Sequence, residues 1–446
     1  MKRSLLMAAA LVACGGGVSD SVTPPVKPDS TPTDPGGTVQ RTSLTVRVQV
    51  ESADAAIANL AGVTVSGLGV RLTRQGSSAA PLQATTDATG TVKFENLLDG
   101  TYTASVERVL STAEIDRLAP ADREANVFAG GITTPVSPPN AASATVPIVA
   151  ARRGSLVISE VFTYQGSPIP YNWSTYLELY NNGDTTVYLD GMFLGRSAYL
   201  YLQSDFFANC DVASYLPFRN DTNHIWVFGG IRFPGTGQQY PVPPGEARVY
   251  APDALNHRTA SGSALFPDLS SAQFEHVPSE ADTENPTSSN VAGAFGTTLG
   301  SSGRGLRVDG PSSWILARST AADRLASATL IPVNQQGGAG VPLTPKDIFG
   351  IPSAEVLDVI SLDHSPSRKA FLATTSGGYS PPCTPWLPSV FERAPAELNE
   401  PTAQSGAFRR RSLGRTIDGR EILMRTRTSA RDLEVSATLL QRSLNK

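Results

Sequence analysis

The chain has 446 residues, a formal net charge of −4, and acidic and basic side chains interspersed along its length. That excludes the one-sided basic field expected of a nucleic-acid-binding protein. Glycine (39) and proline (34) are frequent and long helical patterns are rare, the profile of an all-β protein with many turns.

The N-terminus begins with Lys2 and Arg3, followed by an apolar run of nine residues, Leu5 to Ala13. A membrane-spanning helix needs roughly 20 such residues, so this run has the size of a signal-peptide core instead. Leu11-Val12-Ala13-Cys14 resembles a bacterial lipobox. The resemblance implies a diacylglyceryl group on the Cys14 thiol and cleavage that leaves Cys14 first. Several acyl chains at about 0.8 kcal/mol per buried methylene would anchor the protein stably. The competing reading is an ordinary signal peptide with a chance cysteine, which Gly15-Gly16-Gly17 disfavours. The residue after Cys14 is not Asp, as suits sorting to the outer membrane and display on the cell surface. Residues 15–41 are mostly Gly, Pro, Ser, Thr and Asp and cannot bury enough surface to offset their ordering entropy. In extended form they would act as a tether reaching ~80 Å.

About 400 residues follow the tether, enough for two or three domains. Cys210 and Cys383 remain after Cys14. In an oxidising envelope they either form one disulfide, closing a loop of roughly 170 residues, or stay as two separate buried thiols.

The first folded domain is expected over 42–150. Leu44, Val46, Val48 and Val50 alternate with polar residues, the period of a half-buried strand. Val63, Val65, Val70 and Leu72 extend the strand pattern. Asp87 to Gly90 is a turn before Val92 and Phe94. Leu98-Asp99-Gly100 is another, a hairpin signal between alternating runs, before Tyr102, Ala104 and Val106. Ser111 to Glu114 has the spacing of a capping box opening a short helix that ends near Pro120. Val146, Ile148 and Val149 supply a last strand. The string TDATGTVKFENLLDGTYTASVE resembles prealbumin-like and carboxypeptidase-regulatory-like β-sandwich modules over some 60 residues. That resemblance implies a sandwich used as spacer or stalk and carries no activity.

The second domain is expected over 154–446. Ser155 to Phe162, Tyr176 to Asn182 and Val187 to Met192 follow the order of a lamin-tail domain, an Ig-like β-sandwich, which the chain resembles here. Pro241 to Tyr250, Val356 to Leu362 and Ser412 to Arg415 match later landmarks of that domain. Much of the remaining sequence would be loop insertions. Asp268 to Glu275 and Asp282 to Pro286 resemble a family of uncharacterised surface lipoproteins common in Bacteroidetes. Members pair a prealbumin-like domain with an elaborated lamin-tail-like domain. They often sit beside TonB-dependent receptors, which implies a role in envelope uptake.

Few motifs in the chain carry specific chemistry. The four histidines, His224, His257, His276 and His364, lack the spacing of a zinc helix, and no Cys-x-x-Cys occurs. Asp282 and Glu284, near Glu275 and Glu280, alternate oxygen donors as a Ca²⁺ loop would, without the EF-hand glycine or its distal glutamate. A solvated acidic loop is the simpler reading. No Gly-x-Ser-x-Gly elbow appears, and Gly300 to Gly305 lacks the P-loop lysine. Glu160 and Glu178 could form a carboxylate pair, but both stand at positions that lamin-tail-like domains use structurally. Aromatics crowd the stretch from Tyr199 to Tyr250, and Tyr201, Tyr215, Trp226 and Tyr240 are candidates for a ligand platform. Filling of a sandwich core is the commoner use of such residues. Arg409, Arg410, Arg411, Arg415, Arg420, Arg425 and Arg427 make the C-terminus basic, to touch an anionic surface or to pair with acidic neighbours.

The sequence therefore predicts two β-sandwiches, the second with long loop insertions. They hang from the membrane by acylated Cys14 and bind without enzymatic chemistry, cofactor or nucleic acid. The partner would be an outer-membrane receptor, a surface glycan or a protein. The alternative is a purely structural spacer of the envelope.

Overall fold

A computed structural model describes residues 39–163, 174–197, 221–262, 264, 266–276, 285–294, 306, 308, 312–318, 331–335, 344–364, 387, 390–398, 406–416, 418–436, 439 and 442. Cys14, Tyr201, Cys210, Tyr215, Asp282, Glu284 and Cys383 lie outside these residues, as do the tether up to residue 38 and the stretch Gly300 to Gly305. Residues 41–446 cluster as one compact unit. No helix of the described residues is long and apolar enough to cross a membrane.

Seven strands build the first sandwich: β1 (Thr42–Val50), β2 (Gly69–Arg74), β3 (Leu82–Thr85), β4 (Thr91–Leu97), β5 (Gly100–Val109), β6 (Val127–Val136) and β7 (Ala142–Ala151). Their hydrogen-bonded order is β3-β2-β5-β6-β7-β1-β4. Strand β7 makes this path into two layers. Ala142 to Ile148 run parallel to β1, and Val149 to Ala151 pair with β6. The alternating residues Leu44, Val46 and Val48 meet Val70, Leu72, Tyr102, Val106 and Phe128 from the other layer in one core. Such face-to-face packing of alternating strands is what a sandwich requires.

Two local features decide the connections. Ser111 accepts from the Glu114 backbone while Glu114 reaches back, a complete capping box for the helix Thr112–Asp116. Val63 and Val65, expected to continue the strand pattern, instead follow a helix, Ala55–Ala61. Its alanines are strong helix formers, and Gly62, at φ 75°, ends it in the left-handed conformation.

The second sandwich contains β8 (Leu156–Thr163), β9 (Tyr176–Asn181), β10 (Val187–Tyr188), β11 (Phe193–Ser197), β12 (His224–Arg232), β13 (Pro241–Val242), β14 (Ala247–Tyr250), β15 (Phe274–His276), β16 (Ser289–Ala294), β17 (Ser312–Ala317), β18 (Ile331–Gln335), β19 (Thr344–Pro352), β20 (Val356–His364), β21 (Ala396–Leu398), β22 (Gly406–Arg410), β23 (Ser412–Arg415), β24 (Glu421–Leu423) and β25 (Leu433–Ser436). The main path runs β21-β20-β17-β11-β12-β16-β15-β14-β9-β8-β22-β25. Here β16 is the switching strand: Ser289 to Val291 pair with β15, and Ala292 to Ala294 with β12. The two halves of the path enclose a core around Ile158, Leu177, Leu194, Trp314, Ile360 and Phe408.

Strands β8 and β9 are buried along their whole length. One face serves that core. On the other, Phe162 and Tyr176 stack with ring centroids 5.6 Å apart, and Phe266, Leu269 and Ala272 pack against the same cluster. The insertion after β14 thus forms a third layer.

A small hairpin, β23–β24, joins the two sandwiches. Leu413, Ile422 and Met424 pack on Val127, Ala129, Val149 and Ala151. The backbones approach so closely that a Cβ on Gly131 would lie 3.0 Å from the Cα of Gly414, itself at φ 124°. Only glycine fits both demands at Gly414.

Candidate functional site at the junction of the sandwiches

The helix Ser429–Asp432 and the segment leading to it from β24 carry a series of arginines against the first sandwich. At the bottom lies Arg410, fully buried, bonded to Asp358 (2.7 Å) and Asp432 (3.0 Å). It also donates to the carbonyls of Ile158 (2.8 Å) and Met424 (2.9 Å). Burial opposes its charge, but the two aspartates outweigh burial and hold its pKa above the ordinary arginine value. Asp358 takes a second guanidinium, that of Arg425, at 2.9 Å, and accepts the Ile158 N–H at 2.8 Å.

From there the network crosses to the first sandwich. Arg431 bonds Asp54 (2.5 Å) and Glu51 (2.8 Å), both of which precede the helix Ala55–Ala61 after β1. Arg393 bonds Asp122 at 2.7 Å. Arg152, Arg425 and Arg427 all address one oxygen of Glu124, at 3.5, 3.2 and 3.2 Å. Six guanidiniums, those of Arg152, Arg393, Arg410, Arg425, Arg427 and Arg431, therefore face six carboxylates, those of Glu51, Asp54, Asp122, Glu124, Asp358 and Asp432. Arginine suits this role because its fork satisfies two acceptors at once and stays charged when buried. The charges leave a small cleft of about 40 Å³, open to solvent on one side.

A second ionic cluster closes the far side of the hairpin. Arg153 pairs with Glu107 and Asp184, and Arg420 reaches Asp184 at 2.7 Å. Arg71 of β2 donates to the Thr416 carbonyl at 2.7 Å. The two sandwiches are thus welded from both sides.

Trp226 of β12 is half-buried; its indole N–H donates to Asp221 (3.1 Å), which also bonds His224 (3.0 Å). Tyr240 is half-buried against Phe274, with centroids 5.3 Å apart. Trp226 packs on the cluster of Ile225 and Phe349 and Tyr240 on the main core, so no common platform forms between these two. Glu160 and Glu178 are register partners across β8 and β9, fully buried. Glu160 accepts the Tyr176 hydroxyl; Glu178 accepts Ser159 (2.7 Å) and Arg442 (3.2 Å). Burial raises the Glu178 pKa, and Arg442 pulls against that rise. Neither lines the junction cleft. His257 is buried and bonded to the Asp253 carbonyl at 3.0 Å, and burial lowers its pKa. Glu275 is buried and accepts from Asn285 at 2.9 Å. Among the described residues no cluster of His, Cys, Asp and Glu could hold a metal ion.

The basic C-terminus pairs inward. Besides Arg410, Arg425 and Arg427, Arg409 bonds Glu434 (2.5 Å) and Arg420 bonds Asp418 (2.7 Å). Arg411 and Arg415 are exposed and donate to carbonyls of Leu433 (3.2 Å) and Gly419 (2.8 Å). Arg152, Arg393 and Arg431 complete the junction without any sequence motif of their own. The signal that would have found them is the choice of base: six of the 36 basic residues are lysines (Lys2, Lys27, Lys93, Lys346, Lys369, Lys446), leaving 30 arginines.

Fold and site together define an all-β protein of two sandwiches locked by an ionic junction. The same fold occurs in a DUF4876 family protein from Bacteroides thetaiotaomicron, with a TM-score of 0.51 at 16% identity over 91% of this chain and 98% of that one. At that identity the likeness concerns the fold alone. A DUF3823 family protein from Parabacteroides merdae matches 36% of this chain and 67% of its own at 11% identity (TM-score 0.17). A streptococcal ancillary pilin matches 30% and 43% at 14% identity (TM-score 0.17). Neither carries an argument. No family model and no curated protein matches the sequence.

Proposed function

We propose that the chain is a lipid-anchored, non-enzymatic binding module of the outer membrane, displayed on the cell surface beside a TonB-dependent uptake receptor or attached to a surface glycan or protein. The observation that carries this reading is the order of its parts: a lipobox ending in Cys14, a Pro/Gly/Ser/Thr tether over 15–41, then an all-β body. Acyl chains supply membrane affinity and the tether supplies reach, which leaves the body free to make contacts. The test is Cys14→Ala with palmitate labelling and cell fractionation. The parent should incorporate label and sediment with membranes, and the variant should do neither. An unlabelled parent, or a variant that stays membrane-bound, would refute the anchor. Co-purification from membranes then asks whether a TonB-dependent receptor accompanies the protein.

A second reading, that of an envelope spacer, is favoured by the junction itself. Ion pairs on both sides of the hairpin make two sandwiches into one stiff unit, as a spacer requires. Titration against a panel of glycans and metals separates the two readings, since a spacer binds none.

A further inference from the structure

We propose that the mouth of the junction cleft is a binding site for a small carboxylate-bearing ligand, such as a uronic acid, whose carboxylate replaces that of Glu124 between Arg152, Arg425 and Arg427. The inference rests on the binding reading of the chain and locates its ligand.

Three guanidiniums converge on a single oxygen of Glu124, at 3.2 to 3.5 Å, and no described residue bonds the other oxygen. Each guanidinium carries five N–H donors, so donors exceed what one carboxylate oxygen can accept. The neighbouring acids are not available to relieve this, because Asp54 is taken by Arg431 and Asp122 by Arg393.

The guanidiniums are also preorganised. Arg425 is held without Glu124 by Asp358 (2.9 Å) and the Leu357 carbonyl (2.8 Å). Arg427 is held by the Ala121 carbonyl (2.7 Å) and by that of Val390. Both would keep their places if Glu124 swung away. Glu124 itself follows the short turn Pro120–Asp122, and its side chain is 40% exposed, so it can leave for water at little cost. Burial, together with the nearby Arg425, holds Arg152 and Arg427 below the ordinary arginine value, as expected where like charges crowd. An incoming anion relieves that crowding.

Charge also selects the ligand. The junction is balanced as it stands, so exchanging one monoanion for another preserves the balance. Asp54 and Asp122 line the same cleft and repel a phosphate dianion more than a monoanionic carboxylate. The enclosed space is only about 40 Å³, room for a carboxylate group, so the rest of the ligand sits in the open mouth of the cleft.

Calorimetric titration of the full chain with glucuronate, glucose and phosphate at pH 8 tests this. Glucuronate should bind, glucose should not, and phosphate should bind more weakly than glucuronate. Glu124→Gln removes the internal competitor and should tighten glucuronate about tenfold, the worth of one charge-assisted hydrogen bond. Arg152→Ala should weaken it at least about tenfold and leave the melting temperature unchanged, since its side chain makes a single 3.5 Å ion pair. The proposal falls if parent and Glu124→Gln both ignore glucuronate at millimolar concentration, or if Arg152→Ala binds like the parent. Phosphate binding as tight as glucuronate would overturn the carboxylate assignment. None of these outcomes touches palmitate labelling at Cys14, so failure of the ligand and failure of the anchored-module reading are separable.

Discussion

Removing one guanidinium should uncouple the sandwiches. In Arg431→Ala, Asp54 loses both of its arginine bonds (3.0 and 2.5 Å) and Glu51 loses one (2.8 Å). Asp54 is 4% exposed, and its remaining donor is the Ala150 N–H at 3.2 Å. Breaking a fully buried pair costs about 3–5 kcal/mol because the surviving charge is stranded. Here the arginine side chain is 24% exposed and Glu51 39%, so solvent screens part of the loss and about 2–3 kcal/mol is expected. The assay exploits the tryptophans. Trp173, Trp226, Trp314 and Trp386 all follow residue 151, so fluorescence reports only the second sandwich while far-ultraviolet dichroism reports both. In urea the parent should show coincident transitions. In the variant the dichroism transition should begin earlier than the fluorescence transition, as expected when a coupled unit splits. Lys93→Ala is the control, because the Lys93–Glu95 pair is 55% and 64% exposed and should be worth well under ~1 kcal/mol. An Arg431→Ala variant whose two transitions still coincide, within ~0.5 kcal/mol of the parent, would refute the claim that these charges hold the junction.

Three further outcomes follow from single sites. Burial pushes the Glu392 carboxyl up to about 7 against the opposing bonds from Ser429, so the folded state holds a proton that the unfolded state releases near 4.5. Stability should then fall as pH rises from about 4.5 to 7, by on the order of 3 kcal/mol, and Glu392→Gln should flatten that dependence in melts across the range. Asp190 behaves in the opposite sense: burial works against its charge, but N–H groups of Gln239, Tyr240 and Gly237 outweigh burial and lower its pKa. Its contribution is present above the ordinary aspartate range and lost as pH falls through its folded pKa, so Asp190→Ala should cost about 1–3 kcal/mol at pH 7 and less at pH 3 by calorimetry. Gly130→Ala would place a Cβ 1.9 Å from the Pro147 carbonyl, forcing β6 away from β7; a loss of at least about 1–3 kcal/mol in thermal melting is expected, and an unchanged melting temperature would contradict the close approach.

Much of the local structure was legible before any coordinates. Period-two alternation marked β1 and the Ser111–Glu114 spacing announced a capped helix, because each depends on residues near in sequence. The Asp99-Gly100 hairpin does not form: β4 pairs with β1 and β5 with β2 and β6, so this corner carries the chain from one layer to the other. Val63 and Val65 misled because an alanine-rich helix ending at Gly62 outweighs two β-branched residues in the connector after it. Core filling by Trp226 and Tyr240 and a structural use of Glu160 and Glu178 were the favoured readings, but the partners of these side chains were not legible. A side chain on a strand faces a core, a covering insertion or water, and which one it meets depends on the layer stacked above it.

The junction shows the same division more sharply. Composition already favoured arginine over lysine, and the C-terminal run was visibly basic. Only the tertiary structure decided that these arginines turn inward, because their partners are remote in the chain: Asp54 is 377 residues from Arg431, and Glu124 is 301 from Arg425. Charge pairing has no period along a sequence, whereas burial in strands does. The elements were therefore set locally and the site by topology, where β7 delivers Arg152 and the segment after β24 delivers Arg425 and Arg427 to one carboxylate.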